Sequence, residues 1–270
     1  MKMKSNLRDW LFRVWYWYVN KIDKNAEVLF MNFGYADKLP AIKLEALDEA
    51  NRYSIQLYHQ LVSAIDLKNK DIAEIGCGRG GGLEYITRHF SPASARGIDL
   101  DSRAISFCDR HYELNGLSFL QGDAQKLPLG DNTCDVVMNI ESSHRYPDFI
   151  NFLREVYRIL RIDGYFLFTD FRYDFELPVL QKDLKSIGLI LHKEEFITPQ
   201  VVAALELDDG RRRKLVEKLA PRFLHKTALN FAGTIGSETY NQFVARKYVY
   251  FKYIFQKNSI VDNSHPLGHL

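Results

Sequence analysis

The stretch "DIAEIGCGRGGG", residues 71–82, decides the fold class of this 270-residue chain. A short apolar segment that carries Glu74 runs directly into five glycines within seven residues. Glycine adopts positive φ angles without steric cost and lets a ligand approach the backbone N–H groups at the start of a helix. A glycine cluster alone is weak evidence, because any tight turn from a strand to a helix uses glycine. The motifs that follow the cluster must decide what it binds.

Apolar runs and helical patterns alternate after this stretch. The runs lie at 71–76, 94–100, 117–122, 134–140 and 164–171, with helical spacing near 80–90, 102–115 and 148–161. This alternation predicts an α/β fold with right-handed crossovers and a parallel sheet covered on both faces. Two further strands are predicted at 189–196 and 247–257, separated by mostly helical residues.

The composition excludes several classes of protein. The chain has 36 basic and 34 acidic side chains and a formal charge of +2, so neither a nucleic-acid surface nor a polybasic membrane anchor is predicted. The run "DDGRRRK" (208–214) is interpreted as a solvated helix face. Cys77, Cys108 and Cys134 show no paired spacing, so no metal site is predicted and a reducing cytoplasm is expected. The stretch "DWLFRVWYWYV" (9–19) is too short to span a bilayer, and no transmembrane segment is predicted.

Candidate ligand-binding residues follow three successive predicted strands, where ligands of open parallel sheets bind: the glycine loop follows the first, and an acidic residue follows each of the next two. Asp99 lies 23 residues beyond Gly76, the separation at which a carboxylate accepts both hydroxyls of a ribose. Asp123, followed by Ala124, ends the third run and is placed to accept a hydrogen from an adenine amino group. The residues at these three strand ends are therefore predicted to bind one adenosine together.

A dinucleotide-binding dehydrogenase is the natural rival, because Gly76, Gly78 and Gly81 also satisfy the pattern G-x-G-x-x-G. Two features weigh against it. Glu74 stands where dinucleotide folds normally carry an apolar residue, and Asp123 has no counterpart in that pattern. A carboxylate beside the loop suits a ligand with an ammonium and a sulfonium better than one with a pyrophosphate.

The segments "AEIGCGRGG", "GIDLD", "QGDAQKLPLGDNTCDVV" and "LREVYRILRIDGYFLFTDF" closely resemble the successive motifs of class I S-adenosylmethionine (SAM)-dependent methyltransferases. This resemblance implies a Rossmann-like seven-stranded sheet with an antiparallel last strand, and SAM as the cofactor, released as S-adenosylhomocysteine (SAH). It also implies that Glu74, Gly76 and Gly78 hold the methionine portion, Asp99 the ribose, and Asp123 with Ala124 the adenine. The predicted cofactor site further includes Cys77, Leu100 and Glu141.

A base is needed if the methyl acceptor is a hydroxyl, and histidine is the usual one near neutral pH. The segment "NIESSHRYPD" (139–148) places His144 just after the fourth strand, and Asp170 ends the fifth. "ESSHRYPDFINFLREVYRILR" with "FTDF" resembles natural-product O-methyltransferases, in which a histidine of this motif acts with such an aspartate. The resemblance assigns the catalytic roles to His144 and Asp170. "LRIDGY" departs from the family at Ile162 and Asp163, where proline and glycine are usual, which alters a turn but removes no chemical group.

Further segments favour a lipophilic acceptor such as a lipid, polyketide or glycosylated natural product. "MNFGYAD", "VVAALELDDGRRRKL" and "FAGTIGSETYNQF" look like the phenolphthiotriolone-type lipid O-methyltransferases. The predicted substrate-binding residues are Trp15, Tyr18, Tyr35, Arg145, Tyr146 and Arg172. A C-methyltransferase of the quinone or sterol type and a non-catalytic SAM-binding protein remain alternatives.

Three regions are predicted along the chain. Residues 1–66 form an N-terminal helical cap, with an amphipathic helix from Leu7 to Val19 and a second helix over 41–65. Residues 67–257 form the SAM-binding methyltransferase domain, with a helical insertion over 195–246 before the last strand. Residues 258–270 are expected to be a disordered tail.

Overall fold

The computed structural model describes residues 26–37 and 42–258, together with Tyr18, Ile22 and Asp23. A seven-stranded sheet lies at its centre and has the order β3-β2-β1-β4-β5-β7-β6. The strands are β1 (Asp71–Ile75), β2 (Ser94–Asp99), β3 (Leu117–Gln121), β4 (Cys134–Ile140), β5 (Leu160–Tyr173), β6 (Leu189–Phe196) and β7 (Tyr248–Lys257). β1 to β5 pair in parallel, and β7 lies antiparallel between β5 and β6. The predicted Rossmann-like fold is confirmed.

Eight α-helices flank the sheet within the described residues. They are α1 (Arg52–Val62), α2 (Gly81–Phe90), α3 (Ser102–His111), α4 (Phe149–Ile159), α5 (Leu177–Lys185), α6 (Thr198–Leu219), α7 (His225–Phe231) and α8 (Glu238–Val244). The last three stand between β6 and β7, where the sequence predicts a helical insertion.

The hydrophobic core is split between the two faces of the sheet. Successive strand residues point to opposite faces, and in β1 Ile72 belongs to one buried cluster while Ala73 and Ile75 belong to the other. The buried face of α4, which includes Phe152 and Val156, covers the second cluster. This packing holds the carboxyl ends of the parallel strands along one edge, where the conserved geometry of such sheets places ligands.

Residues 26–37, here called the strap, cross this edge without regular secondary structure. The Phe33 N–H donates to Glu141 Oε2 over 2.8 Å, and Arg212 of α6 donates to the carbonyls of Asn32 and Phe33. Just before the strap, buried Asp23 forms an ion pair with buried Arg79 of the glycine loop at 3.3 Å. The strap is thus fastened to the loop, to the end of β4 and to the insertion.

The predicted helix over 41–65 is wrong at its start. Among the described residues, a 3-10 turn begins at Glu49 and the α-helix only at Arg52. The segment before it is held by a tertiary contact, since Arg88 forms ion pairs with both Glu45 and Asp48. The helix predicted from Leu7 to Val19 and the tail after Asn258 lie outside the described residues, Tyr18 excepted. No helix in the described part of the chain is long and apolar enough to cross a membrane.

Candidate active site

The glycine loop joins β1 to α2 and is pinned to the end of β2. Gly76 and Cys77 donate their N–H groups to the Ile98 carbonyl at 2.7 and 3.1 Å. Gly76 has φ +76°, and a Cβ there would lie 2.3 Å from Ser142 Oγ. No larger residue fits at this position, because both the backbone conformation and the space exclude a side chain.

Glu74 is fully buried beneath the loop. Tyr58 of α1 donates its hydroxyl to Glu74 Oε1 at 2.7 Å, while Oε2 has no hydrogen-bond partner among the described residues. Burial raises the pKa of Glu74 to about 8, and nearby Asp99 adds to the increase. A buried carboxyl oxygen without a donor is costly, so Glu74 is suited to meet a cationic group of a ligand.

Asp99 and Asp123 are brought together at the next two strand ends, because Gly122 N–H donates to the Asp99 carbonyl at 3.0 Å. The Asp99 carboxylate accepts from the N–H groups of Gly78 and Asp101, each at 2.9 Å, and burial raises its pKa to about 6. Asp123 is exposed and Ala124 is half-buried. Leu100 beside them exposes 68% of its surface, an apolar platform next to two carboxylates.

Glu141 ends β4 and faces the strap. Besides the strap N–H, it accepts the Tyr250 hydroxyl at 2.8 Å, and it has a positive φ of 51°. Burial raises its pKa to about 8. The Glu141 carboxylate thus ties the strap to β4 and β7.

His144, in the 3-10 turn Ser143–Arg145 that follows β4, pairs with buried Asp170 of β5, which the sequence placed at the strand end but which lies three residues before it. His144 Nδ1 lies 2.8 Å from Asp170 Oδ1, and the His144 backbone N–H donates to Oδ2 at 3.0 Å. Ser143 Oγ donates to Oδ2 at 2.7 Å, and Arg172 forms an ion pair with the same oxygen at 3.1 Å. With Nδ1–H committed to the carboxylate, the lone pair of the ring is on Nε2. Nε2 is buried and has no partner among the described residues.

The pKa values of both members of the pair are lowered, for different reasons. Burial lowers the pKa of His144 to about 4, although Asp170 opposes the decrease. Burial alone would raise the pKa of Asp170, but the neighbouring His144 and Arg172 outweigh it and hold that pKa below its usual value. At neutral pH the site therefore contains a neutral imidazole, supported by a carboxylate that stays ionised.

An aromatic cluster packs beside this imidazole. The Phe171 ring centroid lies 4.5 Å from that of His144, and Phe33 of the strap lies 5.6 Å from Phe171. Phe243 of α8 packs 5.2 Å from Phe33. The site thus combines an apolar cluster with the charged side chains of Asp170 and Arg172.

Comparison with known proteins identifies the family. Residues 73–168 match the family described as "Methyltransferase domain". The chain is 43% identical over 210 residues to the fatty-acid O-methyltransferase of Mycolicibacterium smegmatis, covering 77% of each protein. It is 38% identical to the phthiotriol/phenolphthiotriol dimycocerosates methyltransferase of Mycobacterium tuberculosis, covering 91% of this chain and 93% of that one. The chain belongs to the SAM-dependent methyltransferases.

The fold of this methyltransferase agrees with a solved structure of the same class. Geranyl diphosphate C-methyltransferase from Streptomyces coelicolor A3(2), in complex with Mg²⁺, geranyl diphosphate and SAH, aligns with a TM-score of 0.63. The sequence identity is 14%, over 89% of this chain and 95% of that chain. At this identity the likeness concerns the fold alone. In the described part of the methyltransferase, no group of three or more His, Cys, Asp or Glu side chains is placed to hold a metal ion.

The edge formed by β1, β2 and β3 fits SAM, the cofactor of this family. Buried Glu74 lacks a donor at one oxygen, as a partner of the methionine ammonium would. Asp99 retains lone pairs for the ribose hydroxyls, and exposed Leu100 offers a surface for an adenine ring. Cys77 is buried within the loop, and burial raises the pKa of its thiol. The cofactor roles of these residues, and of Glu141, stay predictions.

The six predicted substrate residues are scattered. Arg145 follows His144 directly, and Arg172 contacts Asp170. The Tyr146 hydroxyl instead lies 2.8 Å from Ser142 Oγ beneath the glycine loop, and the Tyr35 hydroxyl donates to Asp37 at 3.1 Å. Tyr18 is half-buried, and Trp15 lies outside the described residues.

Three contributors to the site were missed in the sequence. Ser143 directly precedes His144, so its hydroxyl could have been recognised in the sequence as a neighbour of the proposed base. Tyr58 reaches Glu74 from the preceding helix, 16 positions away, and Phe33 reaches Glu141 over 108 positions. No local motif signals such contacts, because they depend on the packing of α1 and the strap against the sheet.

Proposed function

We propose that this methyltransferase transfers the methyl group of SAM to a hydroxyl oxygen of a lipophilic, lipid-like acceptor, with His144 as the general base. The observation that carries the proposal is the state of the His144 ring. Its Nδ1 lies 2.8 Å from Asp170, whereas Nε2 is buried without a partner among the described residues. A neutral imidazole held in this way is ready to accept one proton.

Each protein group at the site has a defined role in the proposed methyl transfer. Bound SAM supplies a methyl group on a positively charged sulfur, which leaves as the neutral thioether of SAH. As the acceptor oxygen forms its bond to the methyl carbon, His144 Nε2 takes the hydroxyl proton. Asp170 stabilises the imidazolium so formed. Arg172 and Ser143 keep Asp170 ionised and fixed while the His144 proton is exchanged with solvent after the reaction.

The lipophilic character of the acceptor has two supports. The ring of Phe171 packs against His144, and the rings of Phe33 and Phe243 extend this apolar cluster. The two curated relatives are named for fatty acids and for phthiotriol dimycocerosates, both of which are lipids. An apolar pocket with few polar groups recognises such molecules mainly by burial of their surface.

A fatty-acid carboxylate is the second candidate acceptor, favoured by the 43% identity to the fatty-acid O-methyltransferase. A carboxylate is already deprotonated at neutral pH, so its methylation requires no base. The buried pair of His144 and Asp170 would then have no proton to move. We favour the hydroxyl acceptor because it gives this pair a chemical task.

The test is incubation of the protein with methyl-labelled SAM and a series of long-chain alcohols, diols and fatty acids, followed by mass spectrometry. We expect labelled methyl ethers. Reactions without acceptor and with the His111→Ala variant, which changes an exposed histidine of α3, are the controls. Methyl esters alone would favour the second candidate, and label on carbon or no transfer at all would overturn the proposal.

A further inference from the structure

The corner between α6 and α7 concentrates positive charge on an otherwise nearly neutral chain. Residues 214–226, here called the basic corner, contain four basic side chains and one acidic side chain, while the whole chain carries only +2. The basic residues are Lys214, Lys218, Arg222 and Lys226, and all four are exposed. Lys218 forms an ion pair with Glu27 of the strap, and no described carboxylate pairs with Arg222 or Lys226. A low net charge therefore conceals a local cationic surface.

An exposed aromatic side chain lies among these basic residues. Phe223, in the 3-10 turn Arg222–Leu224, exposes 83% of its surface, more than any other large hydrophobic residue that the structure describes. Exposing a phenyl ring to water is unfavourable, and a single exposed ring needs no explanation by itself. A ring flanked directly by Arg222 and followed by Lys226 has the composition of residues that enter the interfacial region of a membrane.

The basic corner also adjoins an apolar groove. The groove lies between the strap and the insertion and is lined by Phe30, Met31, Phe33, Leu215, Leu219 and Phe231, among others. Leu215 and Leu219 of the corner itself line the groove, and Ala228 of the same groove follows the corner in α7. The lining also includes Phe33, whose ring packs on Phe171 beside His144.

The charges inside the groove do not oppose an apolar occupant. Arg211 and Arg212, which line it, both form ion pairs with Asp208 at 2.6 and 2.9 Å. Arg212 also donates to three backbone carbonyls, so its guanidinium is satisfied within the protein. Glu27, which also lines the groove, pairs with Lys218 of the corner, so each charged side chain of the groove has an ionic partner within the protein and the remaining lining is mostly apolar.

We propose that the basic corner docks on the surface of an anionic phospholipid bilayer, with Phe223 inserted at the level of the headgroups. Arg222, Lys226 and Lys214 are attracted by the negative surface potential, which acts within a Debye length. The mouth of the groove then faces the membrane. This surface is separate from the methyl-transfer site and does not depend on the identity of the acceptor.

The test is sedimentation of the full chain with vesicles of phosphatidylcholine alone and of phosphatidylcholine mixed with phosphatidylglycerol. Two variants change the corner, Phe223→Ser and the double variant Arg222→Glu with Lys226→Glu. Matched controls are Phe175→Ser, which changes a ring that is 60% exposed elsewhere, and Lys182→Glu with Lys185→Glu on α5. SAH binding of every variant reports whether its fold is intact.

We expect binding to the phosphatidylglycerol vesicles, weakened by salt, and little binding to phosphatidylcholine alone. The charge-reversal variant should lose roughly tenfold or more of the partitioning, since two basic side chains near the anionic surface become acidic. Phe223→Ser should lose roughly tenfold, because its side chain no longer buries an apolar ring, while the control variants bind as the parent does. Absence of binding to the anionic vesicles would overturn the proposal. So would equal losses in the controls, or a corner that drives self-association of the chain instead of vesicle binding.

Discussion

The two ends of the ligand-binding edge are built in different ways. At the cofactor end, formed by β1 to β3, the key contacts join residues close in the chain, such as Gly78 and Asp99, which are 21 positions apart. At the acceptor end the strap reaches Glu141 over 108 positions and Arg212 over 179. Short motifs can specify the first arrangement, whereas only the complete fold assembles the second.

The largest expected effect on cofactor binding follows from a change to the glycine loop. Gly76→Ala places a Cβ 2.3 Å from Ser142 Oγ on a backbone with φ +76°. Both the collision and the left-handed conformation disfavour alanine. We expect SAH binding to weaken on the order of 100-fold, measured by calorimetry. Gly210→Ala in α6 is the control, because nothing lies within 4 Å of its Cβ, and it should bind SAH normally. Equal affinity in the two variants would refute the role of the loop.

The pH dependence of SAH binding, a smaller effect, should distinguish Glu74 from Glu141. The pKa of Glu74 is raised to about 8, and an ammonium bound beside it would lower that value. Binding then releases a proton, so SAH affinity should rise as pH increases from about 6 and level off above the pKa of about 8, changing by up to about tenfold per pH unit. Calorimetry in buffers of different ionisation enthalpy measures the released proton.

Paired variants decide which carboxyl group titrates. Glu74→Gln should remove the pH dependence of SAH binding. Glu141→Gln should retain it, because the Glu141 carboxylate already accepts from Phe33 and Tyr250. The reverse pattern would show that Glu141, not Glu74, meets the ammonium.

The smallest expected effect follows from a substitution in the strap. Phe33→Leu keeps an apolar side chain but removes the ring contacts with Phe171 and Phe243. Since an aromatic pair contributes about 1 kcal/mol, we expect the KM for the acceptor to rise about fivefold while SAH affinity stays the same. Phe175→Leu, on an exposed turn, is the control. A change in SAH affinity alone would mean that the strap serves the cofactor end.

The sequence predicted the strands and the positions of the strand-end carboxylates, because each follows from a local pattern of apolar runs and turns. It also placed His144 just after the fourth strand and Asp170 at the end of the fifth, and the structure joins the two side chains at 2.8 Å. It did not reveal the strap, and it extended the helix before Arg52 too far, because the ion pairs of Arg88 with Glu45 and Asp48 override helix propensity. Net charge likewise concealed the basic corner, since acidic residues elsewhere cancel it in the sum.

The most direct test of the central claim compares turnover and cofactor binding in His144→Ala. If His144 is the base for a hydroxyl acceptor, turnover should fall by about 10² to 10⁴, while SAH affinity changes little. The acidic limb of the pH–rate profile, set by an imidazole whose pKa is lowered to about 4, should disappear in the variant. Turnover equal to that of the parent with a hydroxyl acceptor would contradict the account, as would a loss of SAH binding that explains the whole decrease.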